Sequence, residues 1–427
     1  MDVIVAVVVA TVLNLFLLSR IRRAYPGEEG LFLSKVYRWT IVLRYALAFF
    51  LYLNLDVQGL SGRSAFAAAF WGDSSTYDLG GYLLAREWSG EVSVNLYLAR
   101  QPSGTGFIYF VGALYFVFGR NQLLVQLLNG AIGAITVLVI YAIAARLFDA
   151  KTARWAALFM AFFPQMIFWS AAMYKDPAVM LCIAASMYAV LRLQERFTLR
   201  HLALYLLACL PLLSLRFYTL YIVAFATLGA FLFSQRRGVI ASVIAQFALV
   251  GAFLLAFSFA ARRETVERQT EFFDLKRVQA ARSDQVELGR SAIPTDVDVS
   301  TPAGALAALP TGLVYLLFAP FPWSISGVRQ LLTLPETLVW YALMPALLRG
   351  LKYTVRHRLR ATLPILVFAG TLTVAYAIFQ GNVGTAYRQR TQITMFFFVF
   401  IGAGLVQKRR RIEQRARLEA QAMVLRG

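Results

Sequence analysis

The chain has 427 residues, of which 59% are hydrophobic and only 15% charged, and its mean hydropathy is +0.62. A soluble domain carries about a quarter charged residues, so this composition excludes an ordinary soluble protein and predicts an integral membrane one. The formal charge of +20 does not point to nucleic acid, because Lys and Arg fall in short clusters between apolar runs; they read as topogenic charge and contacts for anionic lipid.

Residues 2–19 are apolar apart from Asp2, Thr11, Asn14 and Ser19 and end at Ser19-Arg20-Ile21-Arg22-Arg23. No basic stretch precedes this run and no small-residue cleavage site follows it, so it reads as a retained span. Basic residues stay cytoplasmic, so the chain is expected to enter from outside and to return outward over 41–57. That places Phe70-Trp71-Gly72-Asp73-Ser74-Ser75-Thr76-Tyr77-Asp78, two carboxylates among aromatics, outside at the mouth of a span. The run 106–118 is short against the about 20 residues a crossing needs. Read as interfacial, it makes 58–120 one long external loop and leaves Arg146, Lys151 and Arg154 inside after a span at 121–148.

Residues 154–173 then go out to Tyr174-Lys175-Asp176-Pro177, and 177–193 return to Arg192, Arg196 and Arg200. The run 201–234 suits two spans broken at Leu215-Arg216-Phe217-Tyr218, which puts Arg216 and Tyr218 outside. After a span at 239–260, residues 261–334 form a second external segment, with 306–323 as an interfacial or hairpin element marked by Pro310, Pro320 and Pro322. Spans at 335–350, 361–379 and 391–407 finish the pattern. The tail 408–427, opening on Lys408-Arg409-Arg410-Arg411, reads as a basic amphipathic helix on the cytoplasmic surface. The expected fold is all-α: a single transmembrane domain over 1–427 with about eleven spans and extracytoplasmic juxtamembrane helices. Cys182 and Cys209 lie inside apolar runs and imply no disulfide framework.

This topology gathers Asp73, Asp78, Glu87, Arg100, Lys175, Asp176, Arg216, Tyr218, Tyr387, Arg388 and Arg390 at one external surface. Carboxylates on one side and cations on the other suit a lipid phosphate, whose headgroup lies at that depth, and Arg binds two phosphate oxygens at once. Each residue also has a plainer role. Asp73 can cap the helix starting near Ser74; Asp78 can be a solvated juxtamembrane residue; Lys175-Asp176 before Pro177 can be a polar helix start. Arg216 inside an apolar run favours a phosphate or carboxylate partner. Arg388 and Arg390, beside the last span, face either headgroups or a substrate phosphate. Trp71, Trp88, Trp169 and Trp323 read as an interfacial belt. His201 and His357 fall inside, so no histidine-based metal site is expected at this surface.

The loop Asp73-Ser-Ser-Thr-Tyr77 resembles the first external loop of the glycosyltransferase C superfamily, the polyprenyl-phosphate-sugar-dependent enzymes that include protein O-mannosyltransferases and aminoarabinose transferases. So do Leu114-Tyr115-Phe116-Val117-Phe118-Gly119, Leu127-Leu128-Asn129-Gly130 and Ala144-Ala145-Arg146-Leu147-Phe148. Phe163-Pro164, Trp169-Ser170, Lys175-Asp176 and the turn Gly384-Thr-Ala-Tyr387-Arg388-Gln-Arg390 are similar to that group as well. The resemblance is densest over residues 60–230. It implies an inverting transfer at the outer face of a bacterial cytoplasmic membrane, from a polyprenyl-phosphate-sugar donor to a lipid, glycan or protein acceptor. Asp73 would be the general base. Arg388 and Arg390, then Lys175 and Arg216, would meet the leaving phosphate. Tyr77, Asp78, Asp176, Tyr218 and Tyr387 would hold sugar or acceptor, with a divalent cation at Asp78 as another use of that carboxylate. Two other classes fit a multispanning chain: a polysaccharide polymerase or O-antigen ligase using a diphosphate-linked glycan, and a lipid-linked glycan flippase, which predicts repeats and broken helices.

Overall fold

The computed structural model describes residues 2–56, 73–92, 104–232, 251, 274–288, 292–293, 297–325 and 328–424. In chain order the helices are α1 (Asp2–Ala24), α2 (Glu28–Leu51), α3 (Asp73–Trp88), α4 (Thr105–Phe118), α5 (Gln122–Leu147), α6 (Ala150–Phe162), α7 (Pro164–Ala171), α8 (Asp176–Glu195) and α9 (Leu199–Cys209). They continue as α10 (Leu212–Leu215), α11 (Phe217–Leu232), α12 (Leu275–Leu288), α13 (Pro302–Phe318), α14 (Val328–His357), α15 (Leu359–Phe379), α16 (Val383–Gln389) and α17 (Thr391–Val424). Among the described residues the extended pairing is one isolated antiparallel bridge between Ala292 and Asn382. A helix satisfies its own backbone groups, which a bilayer cannot do for it.

Seven of the described helices are long and apolar enough to cross a membrane: α1, α2, α5, α8, α14, α15 and α17. The helix α4, the run Leu199–Leu215, most of α11, and α13 are apolar but shorter. The apolar stretches of α5, α8 and α17 are mostly buried, whereas that of α1 mostly faces outward. Thus α5 packs against α8, α6, α2 and α1, α17 packs against α14 and α6, and α15 holds α11 and α13. Side-chain caps set several helix starts: Asn121 accepts from Leu124 N at 3.0 Å, Asp149 from Thr152 N at 2.7 Å and Thr301 from Gly304 N at 3.1 Å.

The two ends of the bundle differ. At one end Arg146 pairs with Glu195 at 2.6 Å, Arg154 with Glu29 at 2.7 Å and Arg410 with Asp149 at 2.6 Å. At the other end, about 26 Å away along α5, the Asn129 amide donates to Ala172 O and Tyr174 O, both at 2.9 Å. That residue fixes the turn from which the site is built.

Where the sequence suggests one span at 154–173, the structure has two helices that meet at Phe163 and Pro164, because Pro lacks the N–H that would continue the ladder. The tail does not begin a separate helix at 408. Residues 407–424 contain neither Gly nor Pro, Arg409 and Glu413 pair at 2.8 Å one turn apart, and α17 runs on to Val424. α14 likewise covers Val328–His357 rather than 335–350. The break at Arg216 is present, with α10 ending at Leu215 and α11 starting at Phe217. The expected span at 239–260, apart from residue 251, the Phe70-Trp71-Gly72 start of the loop motif and Arg100 lie outside the described residues.

Candidate active site

Asp176 is the first residue of α8 and is wholly buried. A carboxylate there needs cations, and two reach it. Arg388 Nε donates to Oδ2 at 2.7 Å, and Arg216 Nη2 donates to Oδ1 at 3.3 Å. The same Arg388 donates through Nη1 to Asp73 Oδ2 at 2.7 Å. A chain of ion pairs therefore runs from Asp73 at the start of α3, through Arg388 on α16, to Asp176 and on to Arg216 in the break between α10 and α11. Its outer end is open to solvent, with the Asp73 side chain 53% exposed against 4% for Arg216. The guanidinium of Arg388 also lies 4.3 Å from the Tyr174 ring centroid and 5.5 Å from that of Trp169. These faces hold its plane by cation–π attraction.

Behind this chain the polar contacts continue. Arg216 Nη1 donates to the Tyr376 hydroxyl at 3.3 Å, that hydroxyl donates to Gln392 Oε1 at 3.0 Å, and the Tyr218 hydroxyl lies 3.4 Å from it. Lys175 is buried beside the same groups, and Gly104 leaves it room. A Cβ at Gly104 would stand 3.0 Å from Lys175 Nζ and 3.3 Å from the Tyr77 hydroxyl, and its φ of +101° already disfavours a side chain. Gly104 N–H donates to Ser214 O at 2.9 Å, seating the start of α4 on the 211–215 turn.

Burial opposes the charge on Arg388, but Asp176 and Asp73 outweigh it and raise its pKa above the usual arginine range. Burial acts on Lys175 in the same sense and prevails there: with Arg216 alongside, it pulls the ammonium down to about 7. A phosphate beside Lys175 would restore the proton, so binding would take up a proton above that pH. Affinity for a phosphate-bearing donor is therefore expected to fall by up to about tenfold per pH unit as pH rises past about 7. A Lys175→Met variant would lose this slope, which a binding titration between about pH 6 and about pH 9 would read.

Seven of the ten residues assigned a role from sequence come together here: Asp73, Tyr77, Lys175, Asp176, Arg216, Tyr218 and Arg388. Three do not join the ion-pair chain. Asp78 is buried and accepts from the Tyr115 hydroxyl at 2.7 Å and from Arg120, tying α3 to α4 and to the start of α5. Arg390 donates to Leu317 O at 2.9 Å and Ala319 O at 3.1 Å, closing the C-terminal end of α13, and stacks 5.5 Å from Trp340. Tyr387 turns its carbonyl to the Gln165 amide and its phenol toward Glu336. Trp88 and Trp323 are exposed as a belt would require, Trp71 lies outside the described residues, and Trp169 is no belt residue because it packs on Arg388. Tyr174, Tyr376 and Gln392 also belong to the cluster without having been singled out: Tyr376 sits in an apolar stretch with no charge to mark it, and Tyr174 and Gln392 stand beside charged residues that draw the attention instead. Arg44 and Glu336 were passed over as well, where a charge inside an apolar run was the available signal.

Residues 103–260 match the family model of dolichyl-phosphate-mannose-protein mannosyltransferases. The similarity is confined to this stretch, which is less than half of the chain. The stretch contains Lys175, Asp176, Arg216 and Tyr218, whereas Asp73 and Arg388 lie on either side of it. The resemblance to membrane glycosyltransferases thus extends to a family-wide pattern over this stretch. Among solved structures, the oligosaccharyltransferase of Archaeoglobus fulgidus in its apo form is similar with a TM-score of 0.49 and 14% identity, covering 90% of this chain and 52% of that one. The chain therefore spans about half the length of that protein. No curated protein matches.

Proposed function

We propose that this chain is a membrane glycosyltransferase that moves a sugar from a polyprenyl-phosphate-linked donor to an acceptor hydroxyl at the extracytoplasmic face, with inversion. The observation that carries this reading is the chain of ion pairs from Asp73 to Arg216 with Lys175 beside it. Three cations face two carboxylates, an excess of one positive charge that matches the single negative charge of a phosphodiester donor. As the acceptor oxygen attacks the anomeric carbon, Asp73 takes its proton and the bond to phosphate breaks. The cluster then carries two excess positive charges as the leaving prenyl phosphate approaches two negative ones. Positive charge grows where negative charge develops, which is what lowers the barrier. Asp73 serves as base from the exposed rim, while Arg388, Lys175 and Arg216 hold the phosphate deeper in. Tyr77 and Tyr218 border the sugar. Asp78, Arg390 and Tyr387 act one step back by fixing α3, α13 and α16.

The direct test supplies purified protein with a polyprenyl-phosphate sugar labelled in the sugar, together with envelope lipids, glycans or hydroxylated peptides, and follows release of prenyl phosphate. Release with transfer of label to one acceptor class is the expected result. Binding of a diphosphate-linked glycan with no turnover of the monophosphate donor would replace this reading with that of a polymerase or ligase.

A further inference from the structure

Arg44 in α2 and Glu336 in α14 are ionisable groups buried within spanning helices, at 0% and 4% exposure. Groups of this kind are costly there unless something compensates them. Both converge on the break between α6 and α7. Pro164 has no N–H, so Met160 O loses the donor four residues on. The Gln165 N–H turns to Glu336 Oε2 at 2.7 Å, so Ala161 O loses its donor as well. Arg44 supplies both carbonyls, with Nη2 at 3.3 Å from Met160 O and Nη1 at 3.0 Å from Ala161 O, while its Nε donates to Ser170 Oγ of α7 at 2.8 Å. The cation therefore sits at the negative end of α6 and the anion at the positive end of α7, which offsets the burial of each. Gly133 of α5 leaves space for this arrangement, since a Cβ there would lie 2.6 Å from Ser170 Cβ and 3.1 Å from Arg44 Nε.

This clasp touches the site from both sides. α7 carries Trp169, on which Arg388 stacks. The Gln165 side chain donates to the carbonyl of Tyr387, the residue before Arg388, and the Tyr387 phenol lies against the Glu336 carboxylate. We propose that Glu336, with Arg44 across the break, is a positioning residue that binds α7 to α16 and so aims Arg388 at the donor phosphate. This rests on the reading of the cluster as a donor-phosphate site.

Hydrogen exchange on the full chain in detergent tests the clasp without any ligand. Glu336→Ala is expected to speed exchange about tenfold in both 164–171 and 383–389 and to leave other helices unchanged. Glu336→Gln, which keeps an acceptor for the Gln165 N–H, is expected to remain within about twofold of the unmodified chain. No acceleration in these two segments, or acceleration everywhere, would overturn the proposal. The aim at phosphate is tested with a short prenyl monophosphate as probe. Glu336→Ala is expected to weaken its binding about tenfold in the unmodified chain and to add nothing once Arg388→Ala is present. Additive losses would show a general structural effect and sink the positioning role. If the unmodified chain binds no probe, the phosphate-site reading falls and takes the aim assigned to Glu336 with it, while the exchange result still decides whether the clasp joins α7 to α16.

Discussion

Asp73→Asn is expected to lower turnover about a hundred- to ten-thousandfold while donor binding stays near that of the unmodified chain. The substitution keeps the size of the side chain and an oxygen that can accept from Arg388 at the 2.7 Å contact. It removes the basicity that the proposed role of Asp73 requires. The carboxylate lies at the open end of the ion-pair chain, where an incoming hydroxyl can reach it, whereas Asp176 is sealed from solvent. A loss of donor affinity as large as the loss of rate would instead place Asp73 among the groups that hold the donor, because removing an interaction present in both ground and transition states changes binding rather than the chemical step. Labelled-donor turnover and equilibrium binding, measured on the same preparation, separate the two outcomes.

Asp176→Ala is expected to destabilise the folded protein by about 3–5 kcal/mol, the usual consequence of removing one partner from a buried charge pair. Asp176 lies between Arg216 and Arg388, whose side chains are 4% and 15% exposed. Without the carboxylate, two guanidiniums would face each other with little water to screen them. A lower thermal midpoint in detergent and a smaller monodisperse fraction would register this. Replacing Arg216 with methionine in the same background is expected to recover part of the stability and none of the turnover. An unchanged midpoint for Asp176→Ala would show that this carboxylate does not hold the cations together.

Much of this ion-pair cluster is legible in the sequence, and the reason is topological. Clusters such as Arg20, Arg22 and Arg23, or Lys408 to Arg411, predict which ends of the apolar runs are cytoplasmic, and the same rule assigns Asp73, Lys175, Asp176, Arg216 and Arg388 to the ends opposite. The polar break at Arg216 was visible because a lone charge interrupts an otherwise apolar run. Asp78 and Arg390 were grouped with the same site because topology assigns residues to a surface and says nothing of their partners. Arg120 and Tyr115 claim the first, and the carbonyls at the end of α13 claim the second.

What the sequence determined by itself is the class of protein and most of its long apolar helices, because hydrophobic run length acts locally along the chain. What only the tertiary structure decided is which charges meet. Arg388 pairs with Asp73, which stands 315 positions away, and Arg44 serves carbonyls freed by Pro164, more than a hundred positions away. Such contacts depend on how α2, α3, α8, α14 and α16 pack around α5, α7 and α17, and pairing across helices leaves no periodicity in a single sequence to reveal it.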